Sequence, residues 1–282
     1  MKKSILFISY TVLISYFLSC GGGNTTNKET TESETTTVAV VPEYTLLDLP
    51  TVDLASFPKD ADGWITLFDG ETFNGWRGYN KTTVPTQWMI EDHSIKINGT
   101  GSDEAQDDDG NDIIFAHKFK NFEFEFEWKV AKNSNSGVFF YIQEVEGQPA
   151  YISAPKYQVL DNANHPDAKS GKDGNRMSAS LYDMIPAKPQ NAKPFGEWNK
   201  GKIHCFKGNI IHYQNDEPVV EYHLWTSQWK EMLDNSQFCK DKWPLAYELL
   251  ANCGGNDQEG FIGFQDHGND VWFRNIKIKL MD

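Results

Sequence analysis

The sequence predicts an all-β domain, a sandwich of two antiparallel sheets with long loops and one short helix. Three observations carry this expectation. Phe122-Glu-Phe-Glu-Phe-Glu-Trp-Lys-Val130 alternates apolar and charged residues without a break, and strict period two means a strand with one buried face. Residues 202–223 hold three strand-like runs separated by the turn signals Lys207-Gly208 and Asn215-Asp216-Glu217-Pro218, the pattern of an antiparallel meander. Helical periodicity is scarce: only Thr226–Phe238, with Trp229, Met232 and Leu233 at helical spacing, supports a helix.

From the N-terminus, Lys2 and Lys3 precede an apolar run, Ile5–Leu18, followed by Ser19-Cys20-Gly21. A basic start, a short apolar core and a small residue at the cleavage point make residues 1–19 a secretory signal. The run is too short for a comfortable membrane span of about 20 residues. Ser19-Cys20 resembles a bacterial lipobox, in which the Cys becomes a lipidated N-terminus, although Phe17 stands where Leu is more usual. The expectation is a cell-envelope lipoprotein, periplasmic or surface-facing, whose membrane contact is the lipid at Cys20 alone; an ordinary cleaved signal is the alternative. Residues 20–58 open Cys-Gly-Gly-Gly and continue rich in Thr, Glu and Ser, which reads as a flexible tether with short apolar pieces, such as Tyr44–Leu49, able to dock. Roughly 225 residues remain, 59–282, enough for one large β domain with a real core.

Further strands are expected at 137–143, 157–160, 202–206, 209–214, 219–223, 261–265 and 271–280. The stretch between Asp161 and Asn199 is a long irregular loop, and loops of that size are often functional. The formal net charge of −14 argues against nucleic acid and against polybasic membrane contact. With Cys20 lipidated, Cys205, Cys239 and Cys253 remain, so at most one disulfide forms. Cys239 and Cys253, in one irregular segment, are the candidate pair, and Cys205 in its strand packs as a small apolar residue.

No nucleophile elbow, phosphate loop, zinc-protease motif or dinucleotide fingerprint is present. Asp107–Asp112 looks like a calcium loop, but Ala105 occupies the first ligand position, so an acidic surface loop is expected. Asp161 ends the strand carrying Gln158 and His165 follows it. These two supply either an acid/base pair or ligands for a divalent metal, the one cofactor considered, or else merely an Asx-turn and a surface His. Arg176, Tyr182 and Asp183 lie further along the same loop, Lys188 falls in a Pro-rich segment, and Trp198 offers an aromatic face for a sugar ring. Gln265-Asp266-His267 forms a polar tip between two apolar strands.

Together these pieces resemble one family. Phe68-Asp69-Gly70 with Gly75-Trp76, the strand at 122–130 with Asn135-Ser136-Gly137, Gln158–Asn162 with His165–Lys169, Leu181-Tyr182-Asp183, Gly196–Asn199 and the closing Gln265–Ile278 are similar, in order, to the 3-keto-disaccharide hydrolase domain family. The resemblance implies a concanavalin-like jelly roll and chemistry on glycosides whose C3 hydroxyl has become a ketone. The ketone acidifies the C2 hydrogen; a base removes it, the C1 substituent is expelled, and water adds back. On this resemblance His165 or His267 is the expected base, and Asp161, Asp183 or Asp266 the orienting carboxylates or metal ligands. Gln158, Arg176, Tyr182, Lys188, Trp198 and Gln265 are expected to hold the sugar, while Arg274 braces a carboxylate. Where relatives often carry Glu, two residues before Gln158, this chain has Lys156; where some have His before the Arg, it has Asn175. A non-catalytic carbohydrate-binding module stays open, because jelly rolls host lectins as readily as enzymes. Clustered groups with perturbed pKa values in a deep cleft favour the enzyme.

Overall fold

A computed structural model describes residues 41–99 and 111–282. The signal segment, Cys20 and Asp107–Asp109 lie outside the described residues. Thirteen strands form among those described: β1 Trp64–Thr66, β2 Trp76–Gly78, β3 Trp88–Glu91, β4 Ser94–Ile97, β5 Ile113–Phe119, β6 Phe122–Val130, β7 Asn135–Ile142, β8 Lys156–Leu160, β9 Asn199–Phe206, β10 Asn209–Gln214, β11 Glu217–His223, β12 Gly260–Phe264 and β13 Val271–Leu280. Two eight-residue helices, α1 Ser227–Asp234 and α2 Pro244–Ala251, sit between β11 and β12.

The strands make two antiparallel sheets. One runs β11-β10-β9-β6-β13-β4-β3, with β1 also paired to β13; the other runs β2-β5-β12-β7-β8. The alternation of 122–130 appears as predicted: Phe122, Phe124, Phe126, Trp128 and Val130 are buried while the residues between are half-buried. The inner faces interdigitate through aromatic contacts. Phe264 stacks on Phe273 with ring centroids 4.0 Å apart, and Phe126 meets Tyr157 edge-on at 5.4 Å. Burying each such ring stabilises by roughly 1.5–3 kcal/mol.

A smaller cluster, including Tyr79, Ile114, Phe139, Ile142 and Phe261, covers the opposite face of the five-stranded sheet. Residues 45–57, read from sequence as the end of the tether, run along this domain. Leu47 N–H donates to Glu144 O at 2.8 Å, Val52 N–H to Ala116 O at 2.7 Å, and Leu54 and Phe57 are buried. The Cys239–Cys253 disulfide does not form: all three described cysteines are free. The Cys253 thiol instead donates to Leu250 O at 3.0 Å in the last turn of α2. Cys205 is buried on β9, as expected of a small apolar residue.

Candidate functional site

The site grows from β8, the last strand of the five-stranded sheet. Tyr157 and Val159 enter the core, so alternation turns Lys156 and Gln158 to the opposite face. An edge strand there would expose unpaired backbone. Residues 179–182 cover it: Ala179 N–H donates to Gln158 O at 2.8 Å, and Tyr182 N–H to Lys156 O at 3.1 Å. This cover carries the Tyr182 ring to Lys156, whose ammonium nitrogen lies 4.1 Å from the ring centroid.

Lys156 then crosses the neighbouring strand. A Cβ at Gly137 would stand 2.6 Å from Lys156 Cδ, so only glycine leaves room for the aliphatic stem. Nζ reaches Gln265 Oε1 at 2.9 Å. Lys156, Gln265 and His267 form the polar wall of a pocket of about 290 Å³, closed by the apolar and aromatic surfaces of Tyr151, Tyr182, Phe238, Trp243 and Leu250. Burial pushes the Lys156 amine down to about 7, against the nearby Asp167 and Asp112 charges that raise it. Burial, with Lys156 and His165 alongside, pushes His267 down to about 4. Around neutrality His267 is therefore a neutral imidazole and Lys156 is divided between amine and ammonium.

The loop after β8 is held by its own polar groups. Asp161 accepts from Asn133 N–H at 2.9 Å, Asn164 Nδ2 at 2.7 Å and Ala163 N–H at 3.2 Å. These bonds make it a turn-forming carboxylate, the Asx-turn alternative the sequence left open. His165 caps a short turn, with Nδ1 accepting from Asp167 N–H at 3.1 Å; its ring centroid lies 6.0 Å from that of His267. Arg176 binds Asp183 at 2.8 Å and Asp167 at 3.0 Å and lies over Tyr182 at 5.1 Å. Asp183, which also accepts from Gln237 N–H at 2.9 Å, braces the arginine. Gln158 donates to Arg176 O at 3.3 Å.

Three expected residues lie elsewhere. Asp266 is buried beside Asp112, whose Oδ1 accepts the Asp266 N–H at 2.8 Å; burial raises both carboxyl groups, Asp112 to about 7. Lys188 is exposed, and its N–H donates to Val219 O of β11 at 2.9 Å, outside the pocket. Trp198 lies against the Arg274 guanidinium at 3.9 Å and Lys129 at 5.0 Å, on the charged outer face of the eight-stranded sheet, so it offers the pocket no platform. Arg274 does brace a carboxylate, Glu127, at 2.8 Å. As for a metal, the Asp161 oxygens are already engaged, and among the described residues no group of three or more His, Cys, Asp or Glu stands together in a manner suited to an ion. The residues present do not fit the expected metal site.

Sequence reasoning treated Lys156 as a departure from a pattern, whereas it is the central polar group of the pocket. The available signal was the buried strand face shared with Gln158, opposite a glycine in the next strand.

The chain is similar to known proteins over most of its length. A 3-keto-disaccharide hydrolase of Bacteroides thetaiotaomicron is 58% identical over 291 aligned positions, covering 100% of both chains. A crystallised Parabacteroides distasonis protein assigned by name to the glycosyl hydrolases is 28% identical, covers 79% of this chain and 95% of its own, and superimposes with a TM-score of 0.66. A second from the same organism, named likewise, is 26% identical with a TM-score of 0.58 and covers 77% of this chain and 99% of its own. A family model described as the 3-keto-alpha-glucoside-1,2-lyase-like domain matches residues 63–279. With that model matching residues 63–279, this chain belongs to the 3-keto-alpha-glucoside-1,2-lyase-like domain family.

Proposed function

We infer that this chain cleaves glycosides whose C3 carbon is a ketone. The route is removal of the C2 hydrogen, expulsion of the C1 substituent and addition of water. The observation that carries the reading is 58% identity, over the full length of both chains, to a 3-keto-disaccharide hydrolase. The pocket supports it on separate grounds. Its 290 Å³ suits a monosaccharide-sized group. Its aromatic lining suits the C–H faces of a pyranose, and its amide and imidazole groups suit hydroxyl and carbonyl oxygens. Elimination next to a ketone does not need the paired carboxylates of ordinary glycosidases. Signal and lipobox-like residues support attachment to the cell envelope through Cys20; palmitate labelling of the full chain that is lost in Cys20→Ser is the expected result.

The test supplies the purified chain with nitrophenyl 3-keto-glucoside and, separately, with the unoxidised glucoside, each with and without EDTA. Release from the keto substrate alone is expected. Release from both would make the protein an ordinary glycosidase. Release from neither would move the assignment to a carbohydrate-binding module.

A further inference from the structure

We propose that the amine of Lys156 is the base that takes the C2 proton, a deepening that rests on the 3-keto-glycoside reading above. Four observations point to it. Lys156 lines the pocket with its nitrogen inside, held by the Gln265 amide oxygen at 2.9 Å. No carboxylate among the described residues forms an ion pair with it, in contrast to Arg176, which has two. Its stem is threaded over Gly137, so the nitrogen is positioned by strand geometry rather than by a mobile loop. The other groups of the pocket are poorer bases: the Tyr182 hydroxyl is pushed up and holds its proton, and His267 at about 4 accepts one weakly at neutral pH. A lysine at about 7 matches what proton abstraction near neutrality needs.

The steps balance. The free amine takes the C2 proton, the C2–H electron pair becomes the C2–C3 double bond of an enolate, and the Lys156 ammonium forms. The enolate re-forms the C3 carbonyl as the C1–O bond breaks, leaving a C1–C2 double bond and an alkoxide that takes a proton from water. The hydroxide so formed adds to C1, and the ammonium returns a proton to C2. The net change is one glycoside and one water converted to 3-keto-sugar and alcohol, with Lys156 again a free amine.

The experiment runs the full chain, its Lys156→Met variant and its Lys156→Ala variant in D₂O on the nitrophenyl 3-keto-glucoside. Nitrophenolate release and deuterium at C2 of the product are followed together, and thermal melting confirms that each variant is folded. The wild type is expected to cleave, to place deuterium at C2, and to show a rate that rises with pH through about 7. Lys156→Met, which keeps the stem, is expected to lose about 10²- to 10⁴-fold in rate and the acid limb of its pH profile. Lys156→Ala is expected to regain activity with ethylamine, and better with more basic amines of the same size, a response that a merely structural lysine does not give. A wild type that cleaves without C2 deuterium overturns the proposal and spares the substrate reading. So does a Lys156→Met that cleaves like wild type, or a folded Lys156→Ala that no amine restores. A wild type that does not act on the keto substrate overturns both.

Discussion

The two edges of the five-stranded sheet each carry a buried cation on the same face, and they treat it in opposite ways. On β2, Arg77 meets Glu144 through two hydrogen bonds of 2.6 and 2.7 Å. The leftover valences are also used: Arg77 donates to the Pro50 and Lys81 carbonyls, and Glu144 accepts from Asn80 N–H. On β8, Lys156 has an amide oxygen, a ring face and an open pocket. A buried charge whose partners are all supplied holds chain segments together. One whose counter-charge is withheld is unstable as an ion, and this keeps its amine available.

The largest expected effect tests the scaffold side. Glu144→Ala strands Arg77 in the interior and is expected to cost about 3–5 kcal/mol, read from the urea midpoint. A loss below about 1 kcal/mol would mean that the pair is not structural. On the other edge the sign reverses. Lys156 has a lower pKa folded than unfolded, so the unfolded chain binds more protons between about 7 and 10.5, and stability rises with pH across that window. Lys156→Met is therefore expected to stabilise by roughly 1–4 kcal/mol at pH 7, with the gain shrinking toward pH 10.5. Equal melting temperatures at both pH values would place the ammonium in contact with water.

Asp112 refines the comparison from the carboxylate side. Its folded pKa of about 7 lies above the unfolded 3.8, so the folded chain binds more protons between those values and stability falls as pH rises through them. Asp112→Asn is expected to gain roughly 1–3 kcal/mol at pH 8 and nothing near pH 4. It also removes a negative charge that raises Lys156, so the acid limb of activity is expected to move to lower pH. The smallest effect concerns the exposed Lys188. Lys188→Ala is expected to leave stability within about 0.5 kcal/mol and cleavage unchanged; a raised KM would bring it back toward the sugar.

What the sequence disclosed follows from how each element is buried. The strand 122–130 is wet on one face and dry on the other, so its period is plain, and its ends match β6. β12, Gly260–Phe264, is buried throughout and shows only as an apolar run. β1 and β2 are three residues each, too short for any period to register. α2 begins at Pro244 behind a mixed run of Lys, Asp and Trp, where no capping side chain announces it. In the site, the family resemblance brought His165 and the 265–267 tip to one region, where the His165 and His267 ring centroids stand 6.0 Å apart. It failed for Trp198 and Asp266 because which side of a strand or tip a residue faces depends on pairing, which is not local. Lys156 was hidden for a related reason: a lysine is ordinarily solvated, and only its passage over Gly137 shows that this one is not.

That passage ties two positions into one unit of inheritance. Any side chain at 137 collides with a long residue at 156, while a shorter residue at 156 frees 137 to vary. A lysine at 156 therefore holds position 137 to glycine, so the two positions are constrained as a pair. Once a β-carbon is fixed at 137, return to lysine is blocked until it is removed, which makes the glycine a ratchet on the chemistry of the site.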